Sequence, residues 1–298
     1  MSAVQIIKKF GSEIKSRKRV RLSRSAGGTF AIFLFLIIMG VFMALPLVYS
    51  VVQAFKPINE LFAYPPKFFV KNPTLDNFYQ VFELANNLWV PLSRYVFNSV
   101  LVSVLGTFLY VIIASLAAYP LAKVNFPGRA AVSALIVWMI LFRPEVTAVP
   151  QYIIISKLKM VNTYGAILLP AMAGSFGVFL MRQFMVSSIP DAVLEAARLD
   201  GAGEMRIFRQ IVLPCVRPAW FTLTIFTFNG LWNTTGLTYI YTEDLKTLPS
   251  VLQTISAGGM ARAGAASAVS MILMIPPILI FIICQSSVME TMSQSGMK

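Results

Sequence analysis

Long apolar runs separated by short clusters of charge dominate the pattern of this chain, and six of them reach membrane-spanning length. Four are bounded sharply by charged residues: Arg94 to Lys123, Lys159 to Arg182, Arg217 to Glu243, and Arg262 to Glu290. A fifth runs from Ser25 to Phe55, and a sixth, from about Ala130 to Ser156, is interrupted by Arg143 and Glu145. Each holds the roughly 20 residues that an apolar helix needs to cross about 30 Å of hydrocarbon. Alternation of period two, the mark of a membrane β-barrel strand, is absent. The pattern predicts an all-α integral membrane protein with six transmembrane helices.

Composition agrees, since 57% hydrophobic against 12% charged residues, with a mean hydropathy of +0.73, is unsuited to a water-facing surface. The net charge of +13 is read as topological. The first 29 residues hold Lys8, Lys9, Lys15, Arg17, Lys18, Arg19, Arg21 and Arg24, and residues 182–217 hold Arg182, Arg198, Arg206, Arg209 and Arg217, whereas 157–159 holds only Lys157 and Lys159. Because short cytoplasmic segments are the lysine- and arginine-rich ones, both termini are placed in the cytoplasm. Beside a transmembrane helix the basic N-terminus is a topology signal with anionic-lipid contact rather than a nucleic-acid-binding arm. The apolar stretch after it is too long for a cleavable signal peptide. The expected organisation is a basic segment 1–29, a six-helix domain 30–290 and a tail 291–298.

Histidine is absent, which removes His-dependent triads, general bases and metal ligands. Cys215 and Cys284 stand far apart, form no CxxC pair and read as packing residues. No GxxxxGK[ST] loop occurs, so no P-loop ATP site is expected and any energy for work comes from elsewhere. The chain is expected to be no enzyme, with no metal and no cofactor of its own.

The longest internal loop breaks the apolar pattern. It reads SSIPDAVLEAARLDGAGEMRIFRQIVLP, and four of the twelve acidic residues fall between Asp191 and Glu204. Ser188 as N-cap, Pro190 in the first turn, Asp191 at the positive helix end and Gly201 closing in a left-handed conformation predict a short surface helix over 188–200. Ala192, Ala196 and Ala197 keep its bulk low, and Glu195 and Leu199 lie one turn apart. A second helix is expected near Gly203, with Pro214 ending or kinking it. By physical features alone this is an amphipathic interfacial helix pair.

The same segment resembles the cytoplasmic signature of ATP-binding-cassette importer permeases: Glu-Ala-Ala, three residues, Gly, nine residues, Ile, one residue, Leu-Pro. It matches at Glu195, Ala196, Ala197, Gly201, Ile211, Leu213 and Pro214. The resemblance implies a coupling helix-loop-helix over 188–214, between the fourth and fifth spans, docking in a cleft of a cytoplasmic ATPase that binds ATP and Mg. Three runs resemble the maltose-type carbohydrate branch, in its smaller six-helix subunit: NSVLVSVLGTFLYVIIASLAAYPLAKVNFPGR at 98–129, MVNTYGAILLPA at 160–171, and FLMRQFMVSSIPDAVLEAARLDGAG at 179–203. The partners implied are a second, homologous permease, a dimeric ATPase and an external solute-binding protein. Gly296 and Lys298 resemble part of a family tail that runs toward the ATPase, and residues 242–262, with Gly258 and Gly259, correspond to a loop that reaches the binding protein.

Polar residues inside spans are costly unless they face protein or a watery path. They are Asn98, Asn229, Trp232, Asn233, Thr234, Thr235, Arg143 and Glu145. The group NGLWNTTG at 229–236 suits sugar hydroxyls and the apolar face of a pyranose, so Asn229, Trp232 and Asn233 are candidates for a substrate path. Interhelical hydrogen bonding with close packing at Gly230 and Gly236 is the competing account. Arg143 follows about 13 apolar residues, near 20 Å, within snorkelling reach of the outer interface. The function expected is a permease moving a sugar or oligosaccharide by alternating access, in the inner or plasma membrane. Alternatives are an importer permease for another solute, an ion-gradient-driven secondary transporter, and a membrane enzyme. A secondary transporter predicts midplane carboxylates and inverted repeats, and Glu145 alone fits that.

Overall fold

The computed structural model describes residues 26–86 and 90–295, and every regular element among them is helical. The basic cluster up to Arg24 and the tail residues Gly296 and Lys298 lie outside these residues. In chain order the main helices are α1 (Ala26–Ala54), α2 (Asp76–Asn86), α3 (Leu92–Lys123), α4 (Arg129–Leu141), α5 (Pro144–Lys157), α6 (Gly165–Met172) and α7 (Ser175–Ser188). They continue as α8 (Asp191–Leu199), α9 (Glu204–Cys215, a π turn at Phe208–Val212 included), α10 (Arg217–Trp232), α11 (Leu248–Ser256) and α12 (Ala263–Ser295). The chain divides into two units, residues 1–49, which hold most of the uncharged α1, and residues 50–298.

Four stretches are long and apolar enough to cross a membrane on their own: Gly27–Ala54, Leu92–Lys123, Gly165–Ser188 and Ala263–Ser286. The count of six is reached only if two bent pairs each serve as one span. The interrupted sixth run folds as α4 and α5, which meet at 109°. Pro144 opens α5, and Arg143 before it is extended, at φ −74° and ψ 145°, because a residue preceding proline is excluded from the helical region. The other bend, 77°, falls between α9 and α10 at Val216, just after Pro214 has removed a backbone donor. The span expected to run to Glu243 stops being helical at Trp232; the chain turns at Gly236, where φ is +64°, and returns through a 3-10 turn, Glu243–Leu245, and α11. That return segment is no open loop, for Leu248, Val251, Leu252 and Ile255 are buried against α10 and α12.

Within residues 50–298, α3 is the central column. Its buried positions run Tyr95, Asn98, Val102, Gly106, Tyr110, Ala114, Ala118 and Ala122, the three-to-four spacing of one helical stripe sunk along its whole length. Small residues on this stripe and its neighbours permit close approach: a β-carbon on Gly106 would lie 2.6 Å from Leu231 Cδ1. Tyr110 fills a notch in α7, donating to the carbonyl of Gly174 at 2.9 Å and accepting from the amide of Gly177 at 2.7 Å. A β-carbon on Gly177 would stand 2.5 Å from the Tyr110 hydroxyl. Gly177→Val is therefore expected to overpack the notch and cost about 1–3 kcal/mol. A lowered unfolding midpoint in detergent checks this; an unchanged one means the ring relocates freely.

Candidate functional site

The signature segment lies at the end of the bundle where α3 and α7 finish. Its first helix is shorter than expected, Asp191–Leu199 instead of 188–200, and Ser188 is the last residue of α7 instead of an N-cap. The reason is local: Ile189 precedes a proline and is extended, and Pro190, at φ −64° and ψ 138°, occupies the N-cap position itself. At the other end Gly201 has φ +79°. Its amide reaches the carbonyl of Arg198, and the amide of Ala202 that of Ala197, both at 3.0 Å. This pair of bonds is the Schellman closure. Gly203 is extended and opens α9, as expected.

Leu194 sinks one side of α8 into a cluster with Tyr119, Met185, Ile207 and Phe208. The opposite side presents Ala192, Glu195 and Ala196, and Leu199 is 89% exposed. Glu195 makes no hydrogen bond or ion pair among the described residues, so a free carboxylate and an apolar tip project from a helix anchored by its other face. Ala197, Ile211 and Leu213 are half-buried against the same cluster, whereas Pro214 is exposed. The cysteines part company: Cys284 is buried, but Cys215 is exposed at the bend after Pro214 and is no packing residue within this chain.

The last turn of α3 fastens this segment. Lys123, its side chain only 5% exposed, donates to the carbonyl of Ile189 at 2.6 Å and to Asp191 Oδ1 at 2.7 Å. One turn earlier the Tyr119 hydroxyl donates to Glu204, whose other oxygen takes Arg198 Nε at 2.8 Å. Arg129 and Arg182 both donate to the carbonyl of Leu121, and Arg129 also to that of Ala122. The hydrogen bond from Lys123 holds the Asp191 carboxyl below its ordinary range, and Arg198, then Tyr119, do the same for Glu204. Depressed carboxylates stabilise the fold above their unfolded values and lose that contribution as pH falls through the folded ones. These ties are thus intact at neutral pH and released only in acid.

At the opposite end of the bundle, Asn98 is fully buried. It donates to the carbonyls of Asp244 and Lys246, both at 2.8 Å, and accepts from the Tyr164 hydroxyl at 2.6 Å. Ser99 accepts from the amide of Leu248 at 2.7 Å, and Asn162 Oδ1 accepts from the amides of Tyr241 and Thr242. Among the path candidates, Trp232 is 3% exposed, stacked on Phe228 and bonded through Nε1 to the carbonyl of Leu273 at 2.9 Å. Asn229 and Asn233 face outward, and Asn233 Nδ2 donates a hydrogen bond to Asn229 Oδ1 at 2.6 Å. The close packing expected at Gly230 is not found, for a β-carbon there would meet nothing within 4 Å, whereas one on Gly236 would meet Ile167 at 2.8 Å. Arg143 and Glu145 sit exposed at the bend between α4 and α5. Lys123, Tyr119 and Ser99 were not singled out from the pattern: a basic residue ending a span and a tyrosine or serine on its buried stripe carry no spacing signal of their own. No group of three or more potential metal-ligating side chains occurs among the described residues.

A family model described as "Binding-protein-dependent transport system inner membrane component" matches residues 29–290. The arabinooligosaccharides transport system permease protein AraQ of Halalkalibacterium halodurans is 29% identical over 270 residues, which cover 89% of this chain and 94% of that protein. The sn-glycerol-3-phosphate transport system permease protein UgpE of Yersinia enterocolitica is 32% identical over 205 residues, covering 67% of this chain and 73% of its own. A chain from the crystal structure of a bacterial ABC transporter for import of the acidic polysaccharide alginate superposes with a TM-score of 0.71. It is 20% identical and covers 88% of this chain and 98% of that one, a likeness of fold.

Proposed function

Because the chain belongs to the family of binding-protein-dependent transport system inner membrane components, we propose that it is the permease subunit of an ATP-driven importer for a sugar or oligosaccharide, coupled through α8 to a separate ATPase. The observation that carries the reading is the presentation of α8: buried through Leu194, closed by Gly201, and projecting the free Glu195 and the exposed Leu199. Such a surface suits a cleft on a partner protein. The arginines at 182–217 and the basic N-terminal segment support a cytoplasmic location for this end. The return segment 233–262 is then external, facing a solute-binding protein. ATP and Mg belong to the ATPase dimer, whose closure would draw the coupling helix of this chain toward that of a second, homologous permease and shift the spans from inward-open to outward-open. The names of relatives such as the arabinooligosaccharide permease support a carbohydrate substrate.

Asn229 and Asn233, exposed on one side of α10, are the path residues this reading favours, with Trp232 bracing the helix from behind. Alanine at either asparagine is expected to lower uptake severalfold with the complex still assembled; loss of the assembled complex instead assigns that asparagine to packing.

The function is tested by reconstituting the chain with its copurifying ATPase, permease partner and binding protein in vesicles. Uptake should follow ATP and be indifferent to a proton or sodium gradient; gradient-driven uptake without ATP overturns the importer assignment. Saccharides that raise the melting temperature of the binding protein define the substrate. A shift with glycerol phosphate alone would move the substrate class to the chemistry named for the UgpE relative.

A further inference from the structure

We infer that α3 is a connecting rod between the coupling helix and the external return segment, with Tyr119 and Lys123 as its positioning residues at one end and Asn98 and Ser99 at the other. The inference rests on the importer reading of α8. Its basis is that both functional ends of the chain are hydrogen-bonded to one helix from which they are remote in sequence. At the inner end Lys123 holds the start of α8 through Ile189 and Asp191, and Tyr119, one turn away on the same face, holds its far side through Glu204 and Arg198. Since α8 is held at both its ends, it is not free to pivot about one contact.

At the outer end the first two turns of α3 grip residues 243–248. Arg94 donates to the carbonyl of Asp244 at 3.2 Å, Tyr95 to the Glu243 carboxylate at 3.2 Å, Asn98 to the carbonyls of Asp244 and Lys246, and Ser99 accepts from Leu248. α3 is helical over all 32 of its residues, about 48 Å from end to end at 1.5 Å per residue, with Pro120 in its last turn lacking a backbone donor but not ending the helix. The competing routes are covalent. One runs from α8 back into α7 across the extended Ile189–Pro190 joint, the other from α9 into α10 across the 77° bend at Val216 and so to residue 233. Both contain a non-helical joint where a displacement can be absorbed, whereas α3 stays helical through Pro120 to Lys123.

The test is hydrogen–deuterium exchange of the full complex in lipid nanodiscs, with and without ATP plus vanadate to trap the closed ATPase, so that no transported solute is required. In the wild type, peptides covering 191–203 and 236–248 should both change protection on trapping. In Tyr119→Phe, which keeps the ring against Phe208, and in Lys123→Met, the change at 191–203 should persist while that at 236–248 is largely lost, and Lys123→Arg should restore it. Persistence of the change at 236–248 in both variants overturns the inference and hands transmission to α10. Absence of any change at 191–203 in the wild type overturns the coupling assignment, and the inference with it. Should Lys123→Met not assemble, Tyr119→Phe decides alone, because it removes one hydroxyl and nothing else.

Discussion

Valine at Gly201 is expected to abolish most coupled transport while the spans still insert. The residue sits at φ +79°, where a β-carbon costs about 1–2 kcal/mol and a β-branched side chain is a gross outlier. A β-carbon there would meet nothing within 4 Å, so the penalty is one of backbone torsion and of added bulk at the proposed docking face, not a clash within this chain. Relief of the strain requires φ to leave the left-handed region. That breaks the closure from Gly201 and Ala202 to Arg198 and Ala197 and pulls Arg198 off Glu204. Glu195→Ala should act by a different physical route, removing a carboxylate whose charge-assisted bond to the ATPase would be worth about 1.5–3 kcal/mol, so that association weakens roughly ten- to a hundredfold. ATPase copurification and uptake per ATP hydrolysed measure both variants. Wild-type values in both assays would reduce α8 to an interfacial helix and refute the coupling assignment.

The second large effect is expected at Asn98, and on stability. Leucine there would leave two backbone carbonyls and the Tyr164 hydroxyl without their partner in a part-buried setting, each at about 1–3 kcal/mol, so a loss of several kcal/mol is expected. Asn98→Asp should be no milder, since a carboxylate facing the carbonyls of Asp244 and Lys246 has acceptors where donors are needed. Thermal unfolding of the purified complex reports the loss, and protease cleavage within 236–248 reports whether that segment has come away from α3. Normal melting and protection in both variants would show that the segment is held by its apolar residues, Leu248, Val251 and Leu252, instead.

Much of the molecule was legible in residue order because the physics concerned is local. An uncharged run of spanning length must satisfy its backbone internally, so α1, α3, the α6–α7 pair and α12 follow from hydropathy. A glycine between two helical stretches at the signature spacing predicted the left-handed closure at Gly201, and Gly203 and Pro214 marked the second helix and its bend. The boundary error at Ser188 was also local: proline's demand on the preceding residue outweighed the capping preference of serine. Hydropathy failed where backbone chemistry bends or ends a helix inside a largely apolar run. Pro144 bends the run from Ala130 to Ser156 sharply, and the run from Arg217 to Glu243 leaves the helix at Trp232 although Leu237 and Ile240 continue the apolar pattern.

The polar residues divide along the same line. Composition could say that Asn98, Trp232 and Asn233 are expensive in a membrane, but not which direction each faces. That direction is set by the packing of α3, α10 and α12 against one another, which turns Asn98 and Trp232 inward to partners 146 and 41 residues away and leaves Asn233 outside. By itself the sequence determined the class of element, the number of apolar runs and the signature helix, since periodicity, charge and torsional preference act over a few residues. Only the tertiary structure decided that one helix, α3, binds the signature segment through Lys123 and Tyr119 and the return segment through Asn98, since hydrogen bonds between remote parts of a chain exist only once packing has brought donor and acceptor together.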